Sequence, residues 1–204
     1  MAINYPIGTH HTADVKNTIR TGKTTKKALM FGKRGMGLEE EINLANDYYL
    51  ANHLAVIHKK PTPITIVKVD YPARSAAKVT EAYFKQASTT DYNGVYQGHY
   101  IDFDAKETKN KTSFPLKNFH EHQIVHLGSI LAQNGIGFVI IKFTTLNETY
   151  VYPAQHLIAQ WQKLKGKQSI SYQDIVRDSY VVPNSLNPSL DYLKAVDRYF
   201  EHLN

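Results

Sequence analysis

The chain of 204 residues contains no cysteine. A disulfide framework is therefore excluded, as is a zinc site built on thiolates, and the composition suits a reducing, intracellular compartment. Long apolar runs are missing too, none approaching the length that spans a bilayer. The opening stretch, MAINYPIGTHHTADVKN, lacks a basic-then-apolar signal pattern. These absences predict a cytoplasmic protein. Acidic residues are in short supply, with 18 Asp and Glu against 24 Lys and Arg, a formal net charge of +6 and an isoelectric point near 9.3. A surplus of that sign favours an anionic partner such as nucleic acid, and with it a place beside the nucleoid.

What the chain does have is enough for one well-cored domain: 42% hydrophobic residues, among them 14 tyrosines with polar tips. No internal repeat is visible, and the order of elements predicts a single α/β or α+β domain. Residues 1–35 carry Lys16, Arg20, Lys23, Lys26, Lys27, Lys33 and Arg34 against one acid, Asp14, which predicts a flexible basic arm preceding a domain over 36–204. TGKTT within the arm is not a phosphate loop, because G-x-x-x-x-G-K-[ST] needs glycine where Asn17 stands.

GMGLEEEINLANDYYLANHLAVIHKK reads as a helix, with Leu38, Ile42, Ala45 and Tyr49 forming one apolar stripe. Glu39, Glu40 and Glu41 fall in its first turn, where carboxylates complement the positive end of the dipole. Ile64 to Val69 reads as extended, and Ser75 to Phe84 as a short helix. Lys59, Lys60, Lys68, Arg74, Lys78 and Lys85 lie in this region with Tyr71, Tyr83 and Phe84. A basic protrusion with aromatics suits DNA backbone contact and base stacking, and an ordinary solvated face suits the same residues.

Residues 89–114, TTDYNGVYQGHYIDFDAKETKNKTSF, read as a β-hairpin turning at Gln97-Gly98. That register sets Tyr96 against His99, Asp91 against Asp104 and Thr89 against Lys106. Asn93-Gly94 offers a bulge or a competing turn. Period-2 alternation puts Tyr100, Asp102, Asp104 and Lys106 on one face, a working surface, and Ile101, Phe103 and Ala105 on a core-facing one. Opposed residues have Cβ atoms roughly 4.5–5.5 Å apart, so Asp91 and Asp104 repel unless a cation neutralises them. Mg²⁺ does this with oxygen ligands, and a solvated sheet edge is the competing explanation.

Asn118 and Glu121 suggest a capping box opening a helix to about Gln133, with Gln123 pointing into the apolar stripe of Phe119, Leu127 and Ile130. His122 and His126 have i, i+4 spacing but lack the partners of a zinc motif, so solvent or phosphate contact is the expectation. GIGFVIIKF and ETYVYP read as strands, and Ala154 to Lys165 as a helix holding the single Trp161. Ser171 with Asp174 marks a short helix, and Ser189 a cap for a last one faced by Leu193, Val196, Phe200 and Leu203.

Asp91, then Asp104-Ala105-Lys106, fits the D-x(n)-[DE]-x-K pattern of metal-dependent nucleases. Two carboxylates hold the cation, and a lysine two residues on reaches the same side of the strand, toward the crowded phosphate oxygens. RGMGLEEEIN, AVIHKKPTPI, YPARSAA, EAYFKQASTTDYNGVYQGHYIDFDAKETKNKTSFPL, NFHEHQIVH and GIGFVII together resemble the RecU family of bacterial Holliday-junction resolvases, densely over about residues 34–145.

The resemblance implies a restriction-endonuclease-like α/β core, a mixed central sheet flanked by helices, with a stalk at about 59–86 that enters the junction centre. It implies a homodimer cutting two opposed strands of four-way junction DNA, with Thr89, Asp91, Asp104 and Gln123 holding Mg²⁺, or Mn²⁺ in its place, and Lys106 stabilising the transition state. Lys59 and Lys60 become DNA contacts. Arg74 becomes a DNA contact that also modulates the RecA recombinase, with the branch-migration machinery as a further partner. The family has Glu where this chain has Asp104, one methylene shorter, so altered cation affinity or preference is expected. Arg34-Gly35 to Glu39 is similar to the setting of a catalytic Glu in archaeal junction resolvases, which adds a second-metal or water-orienting role for Glu39 to the dipole reading. Another endonuclease of the same fold and a non-catalytic junction-binding protein are the competing functions.

Overall fold

A computed structural model describes residues 36–72, 76–85, 89–165 and 168–202. The first helix, α1 (Leu38–Ala51), leads into β1 (Ala55–Lys59), then β2 (Ile64–Asp70) and β3 (Lys78–Phe84), and the hairpin β4 (Tyr92–Tyr96) and β5 (His99–Thr108). After β6 (Ser113–Pro115) and a single 3₁₀ turn come α2 (Glu121–Ala132), β7 (Ile136–Phe143), β8 (Glu148–Pro153) and α3 (Ala154–Leu164). The chain continues through β9 (Ser169–Ser171), α4 (Tyr172–Arg177), β10 (Tyr180–Val181) and α5 (Leu193–Glu201).

Six strands form the central sheet in the order β1-β4-β5-β7-β8-β10. Only β5 and β7 run parallel among these neighbours, so the sheet is mixed, and the connection between them carries α2 across one face. The alternation along β7 explains the layering. Phe138 and Ile140 join the core beneath α1 and α5, while Val139 and Ile141 join the core beneath α2 and α3. A strand buried on both faces has no polar side, as Ile136 to Ile141 show. The expected α/β core with helices on both faces is what the chain forms.

The hairpin register is as its turn predicts. Gln97 and Gly98 both have positive φ, 49° and 80°, the conformation that matches strand twist, and Tyr96 opposes His99. Gly94 makes no bulge; it sits where strands approach closely, and a Cβ there would lie 2.1 Å from the Val56 carbonyl oxygen. Phe103 stacks on its cross-strand neighbours Tyr92 and Phe138, with ring centroids 4.9 and 4.7 Å away.

Four expectations are corrected. The first helix stops at Ala51, the chain turns through His53 at φ 56°, and AVIHK becomes edge strand β1, its β-branched Val56 and Ile57 pairing with β4. Residues 78–84 form a strand rather than a helix, because β2 pairs with them from Ile64↔Phe84 to Asp70↔Lys78. This exposed hairpin is the protrusion, and every residue of β3 is solvent-facing. The α2 helix is capped at His120, two residues later than the Asn118 reading, with the Gln123 side chain accepting the His120 N–H at 3.1 Å. The α5 helix starts after Tyr192 instead of at Ser189, although Leu193, Val196 and Phe200 do form its buried face. Leu203 and the arm 1–35 lie outside the described residues. The Ser171 cap stands, its hydroxyl accepting the Asp174 N–H at 3.0 Å.

Candidate active site

The β4–β5 hairpin and α2 build the site. Asp91 immediately precedes β4, and the pair Tyr92↔Phe103 continues outward to set it against Asp104. The alternation of β5 gives Asp104 the α2 side of the sheet, where α2 covers it completely: Asp104 is 0% exposed. At Asp102 and Asp104 the charged face of β5 is therefore an interior surface and not a solvated sheet edge. Alternation along a strand chooses a face, and the packing of α2 decides whether that face meets water.

Asp104 has a full set of partners. Its Oδ1 receives the Ala105 N–H at 2.7 Å and the Lys106 ammonium at 2.8 Å, and its Oδ2 receives the amide of Gln123. Burial nonetheless pushes the Asp104 carboxyl up to about 6; Lys106 pulls it down, and the Asp91 carboxylate pushes it further up.

Glu39 reaches the same place from the first turn of α1 and forms an ion pair with Lys59. Tyr92 lies between the acids: burial raises its phenol above the ordinary value, and Glu39, Asp91 and Asp104 raise it further. Its hydroxyl lies 3.3 Å from the Asn43 side-chain oxygen. Gly37, Leu38, Glu39, Asp91, Tyr92, Ala105 and Glu107 line a shallow cleft of about 200 Å³. Glu107 also accepts the Leu38 N–H at 3.3 Å and so caps the α1 end that presents Glu39.

The other expected residues are placed as follows. Thr89 is half-buried, its hydroxyl donating to the Thr90 carbonyl at 3.2 Å. Gln123 is buried and binds Asp104, as a polar group inside an apolar stripe must. Lys60 directs its ammonium to Asp102 at 2.8 Å and to the Thr90 hydroxyl at 3.0 Å. Arg74 lies outside the described residues. Sequence reasoning gave no role to Thr90 or Tyr92, whose only signal was adjacency to Asp91. His122, expected to meet solvent or phosphate, is half-buried, and desolvation with the neighbouring charges of His120, Lys106 and His126 holds its imidazole below the ordinary value.

The oxygen-rich donor set fits a hard divalent cation. Asp91 and Asp104 could supply its carboxylates, although no group of three or more His, Cys, Asp or Glu that could hold a metal occurs among the described residues. Gln123, already on Asp104, could add its amide oxygen on giving up the His120 N–H, and Thr89, two residues before Asp91, could add a hydroxyl.

With this geometry in place, the matching family model is decisive: Recombination protein U, RecU, aligns with residues 33–198. The chain belongs to the RecU family. A RecU protein of Leuconostoc citreum, named Holliday junction resolvase RecU, is 84% identical over the full length of both chains. RecU relatives of the same name from Latilactobacillus sakei and Geobacillus kaustophilus are 57% and 52% identical, over 97% and 98% of this chain and 96% and 98% of theirs. The fold also overlays loosely on the archaeal Hjc, a Holliday junction resolvase of Archaeoglobus fulgidus, with a TM-score of 0.41 at 9% identity over 67% of this chain and 92% of that one.

Proposed function

We propose that this chain is a Mg²⁺-dependent endonuclease that resolves four-way DNA junctions by paired, symmetric nicks, acting as a homodimer. The observation that carries the reading is the convergence of Asp91, Asp104, Lys106 and Gln123 in a chain whose full-length relatives are named Holliday junction resolvases. Two symmetric cuts ask for two centres related by two-fold symmetry, which a dimer supplies.

Asp91 and Asp104 hold the cation, with Thr89 and Gln123 completing the site. Bound there, Mg²⁺ or Mn²⁺ neutralises the carboxylates and lowers the pKa of a coordinated water. Lys106, on Asp104 in this structure, is 20% exposed at its side chain. It turns to the non-bridging oxygens of the scissile phosphate and offsets the charge that grows there as water adds to phosphorus and the bond to the leaving oxygen breaks. Glu39 lines the cleft together with Asp91 and orients the attacking water once Lys59 moves to DNA.

The stalk supplies substrate shape. Tyr71, Tyr83 and Phe84 are 72%, 62% and 85% exposed, unusual for rings that large, and present stacking surfaces to unpaired bases at the junction centre. Lys59 and Arg74 contact phosphates, and Arg74 also meets RecA and the branch-migration machinery. Among the described residues no helix is long and apolar enough to cross a membrane, and the substrate places the protein with the chromosome in the cytoplasm. A competition between a labelled four-way junction and a linear duplex of the same sequence, in Mg²⁺, tests the reading. Selective junction cleavage is expected, and equal nicking of both would sink it in favour of a general endonuclease.

A further inference from the structure

Asp102 is 0% exposed and takes no part in the cation site, although it lies on the same face of β5 two residues before Asp104. It is the hub of a polar cluster. Its Oδ1 accepts the Thr90 hydroxyl, and its Oδ2 accepts the Lys60 ammonium and the Tyr100 hydroxyl, each at 2.8 Å. His126 Nε2 stands 3.2 Å from the same oxygen, one helical turn along α2 from Gln123.

The origins of these partners matter more than their number. Lys60 follows β1 at the outgoing base of the stalk, and Thr90 sits at its returning base, between Thr89 and Asp91. The Lys60 ammonium binds the Thr90 hydroxyl at 3.0 Å, and the Lys60 N–H binds the Asp91 carbonyl at 2.7 Å. One buried carboxylate thus fastens both ends of the stalk to the strand that carries Asp104 and Lys106. Stability alone is a weak reason to keep such a cluster, because well-packed apolar groups in place of a buried ion pair are often as stable. What apolar groups cannot supply is direction, and Thr90 needs direction because Thr89 and Asp91 flank it.

We propose that Asp102 is a positioning residue, with Lys60 as its counter-ion: it sets Thr89 and Asp91 against Asp104 and carries the stalk's engagement with DNA to the cutting centre. The proposal rests on the junction-cleavage reading above. It also separates the two lysines of HKKPTP: Lys59, 40% exposed at its side chain, is available to phosphate, whereas Lys60, at 20%, works inside the protein.

A double-mutant cycle of Lys60→Gln, Asp102→Asn and the pair, with Lys60→Arg as the conservative variant, tests it. Three quantities are read on the full chain: junction affinity with its salt dependence, single-turnover cleavage at saturating protein, and amide exchange over residues 89–92. A positioning role predicts junction affinity and salt slope unchanged, cleavage lowered by about tenfold or more in each single variant, no further loss in the pair, and partial rescue by arginine. Exchange over 89–92 is faster in each single variant and no faster in the pair.

A phosphate-contacting Lys60 predicts the opposite: weaker junction binding, a salt slope reduced by about one, and normal cleavage at saturation, which overturns the proposal. Additive cleavage losses overturn it too. Should Asp102→Asn not fold, Thr90→Val breaks the second arm while leaving the Lys60–Asp102 pair, and the same cleavage loss without a binding loss is required. A wild-type protein that cuts no junction would refute the resolvase reading, and amide exchange then decides the pinning alone, with unchanged exchange in both single variants overturning it.

Discussion

Replacing Asp104 with asparagine should stabilise the cation-free protein while abolishing cleavage. The carboxyl is completely covered, and its pKa stands near 6 instead of 3.8, a value that already includes the favourable pull of Lys106. A rise of roughly two units corresponds to about 3 kcal/mol, which is a ceiling on what ionisation of this group costs the fold. Because the folded-state pKa is raised, the native state binds more protons than the unfolded chain between pH ~4 and ~6. The group's contribution to stability is therefore full below the unfolded pKa and is lost as pH rises through the folded one.

Asparagine keeps the shape and never ionises, but it offers one acceptor oxygen where the carboxylate offers two, to Ala105 N–H and Lys106 on one side and to the Gln123 amide on the other, so part of that ceiling is given back. In chelator at pH 7.5 the variant should melt higher by a few degrees, below the roughly 6–12 °C that the full ceiling gives at about 2–4 °C per kcal/mol for a domain of this size. At pH 4 the two proteins should melt closer together, and Mg²⁺ at pH 7.5 should narrow the gap by stabilising the wild type alone. Thermal unfolding by circular dichroism gives all three. A variant equal to or less stable than wild type at pH 7.5 in chelator would refute the argument that burial and Asp91 strain this carboxylate.

Asp91→Asn should abolish cleavage and leave junction affinity intact or slightly improved, since it removes negative charge facing phosphate; gel shift and cleavage on one preparation separate the two. Gly94→Ala should destabilise the domain by about 1–3 kcal/mol in denaturant titration, because the new methyl meets the Val56 carbonyl in a closely packed sheet. Tyr83→Ala with Phe84→Ala should leave thermal unfolding unchanged, both rings being exposed, and weaken junction binding by about 1–3 kcal/mol for each base that loses its platform.

The hairpin was legible because two local signals agree: Gln97-Gly98 supplies positive φ at both turn positions, and strict alternation assigns the faces. That agreement alone brought Asp91 to Asp104. The α1 stripe of Leu38, Ile42, Ala45 and Tyr49 was legible for the same reason, a period carried by residues that are buried. The edge strand β1 was not, because no Gly or Pro separates it from α1 and the break falls at Asn52 and His53. The stalk strand β3 was misjudged because in KVTEAYF the helix formers Lys78, Glu81 and Ala82 interrupt the four strand formers, and pairing with β2 settles it. The Asp102 cluster was beyond reach, since Lys60, Thr90 and His126 meet that carboxylate only once the stalk base and α2 close over β5.

Strand-labelled four-way junction incubated with the wild type and with Asp91→Asn, each in Mg²⁺ and in chelator, tests the central claim most directly. Paired nicks at symmetric positions on opposed strands, made only by the wild type and only with Mg²⁺, are the predicted result. Equal cleavage by Asp91→Asn, or cleavage that persists in chelator, would contradict the assignment of Asp91 and Asp104 as the cation-binding centre.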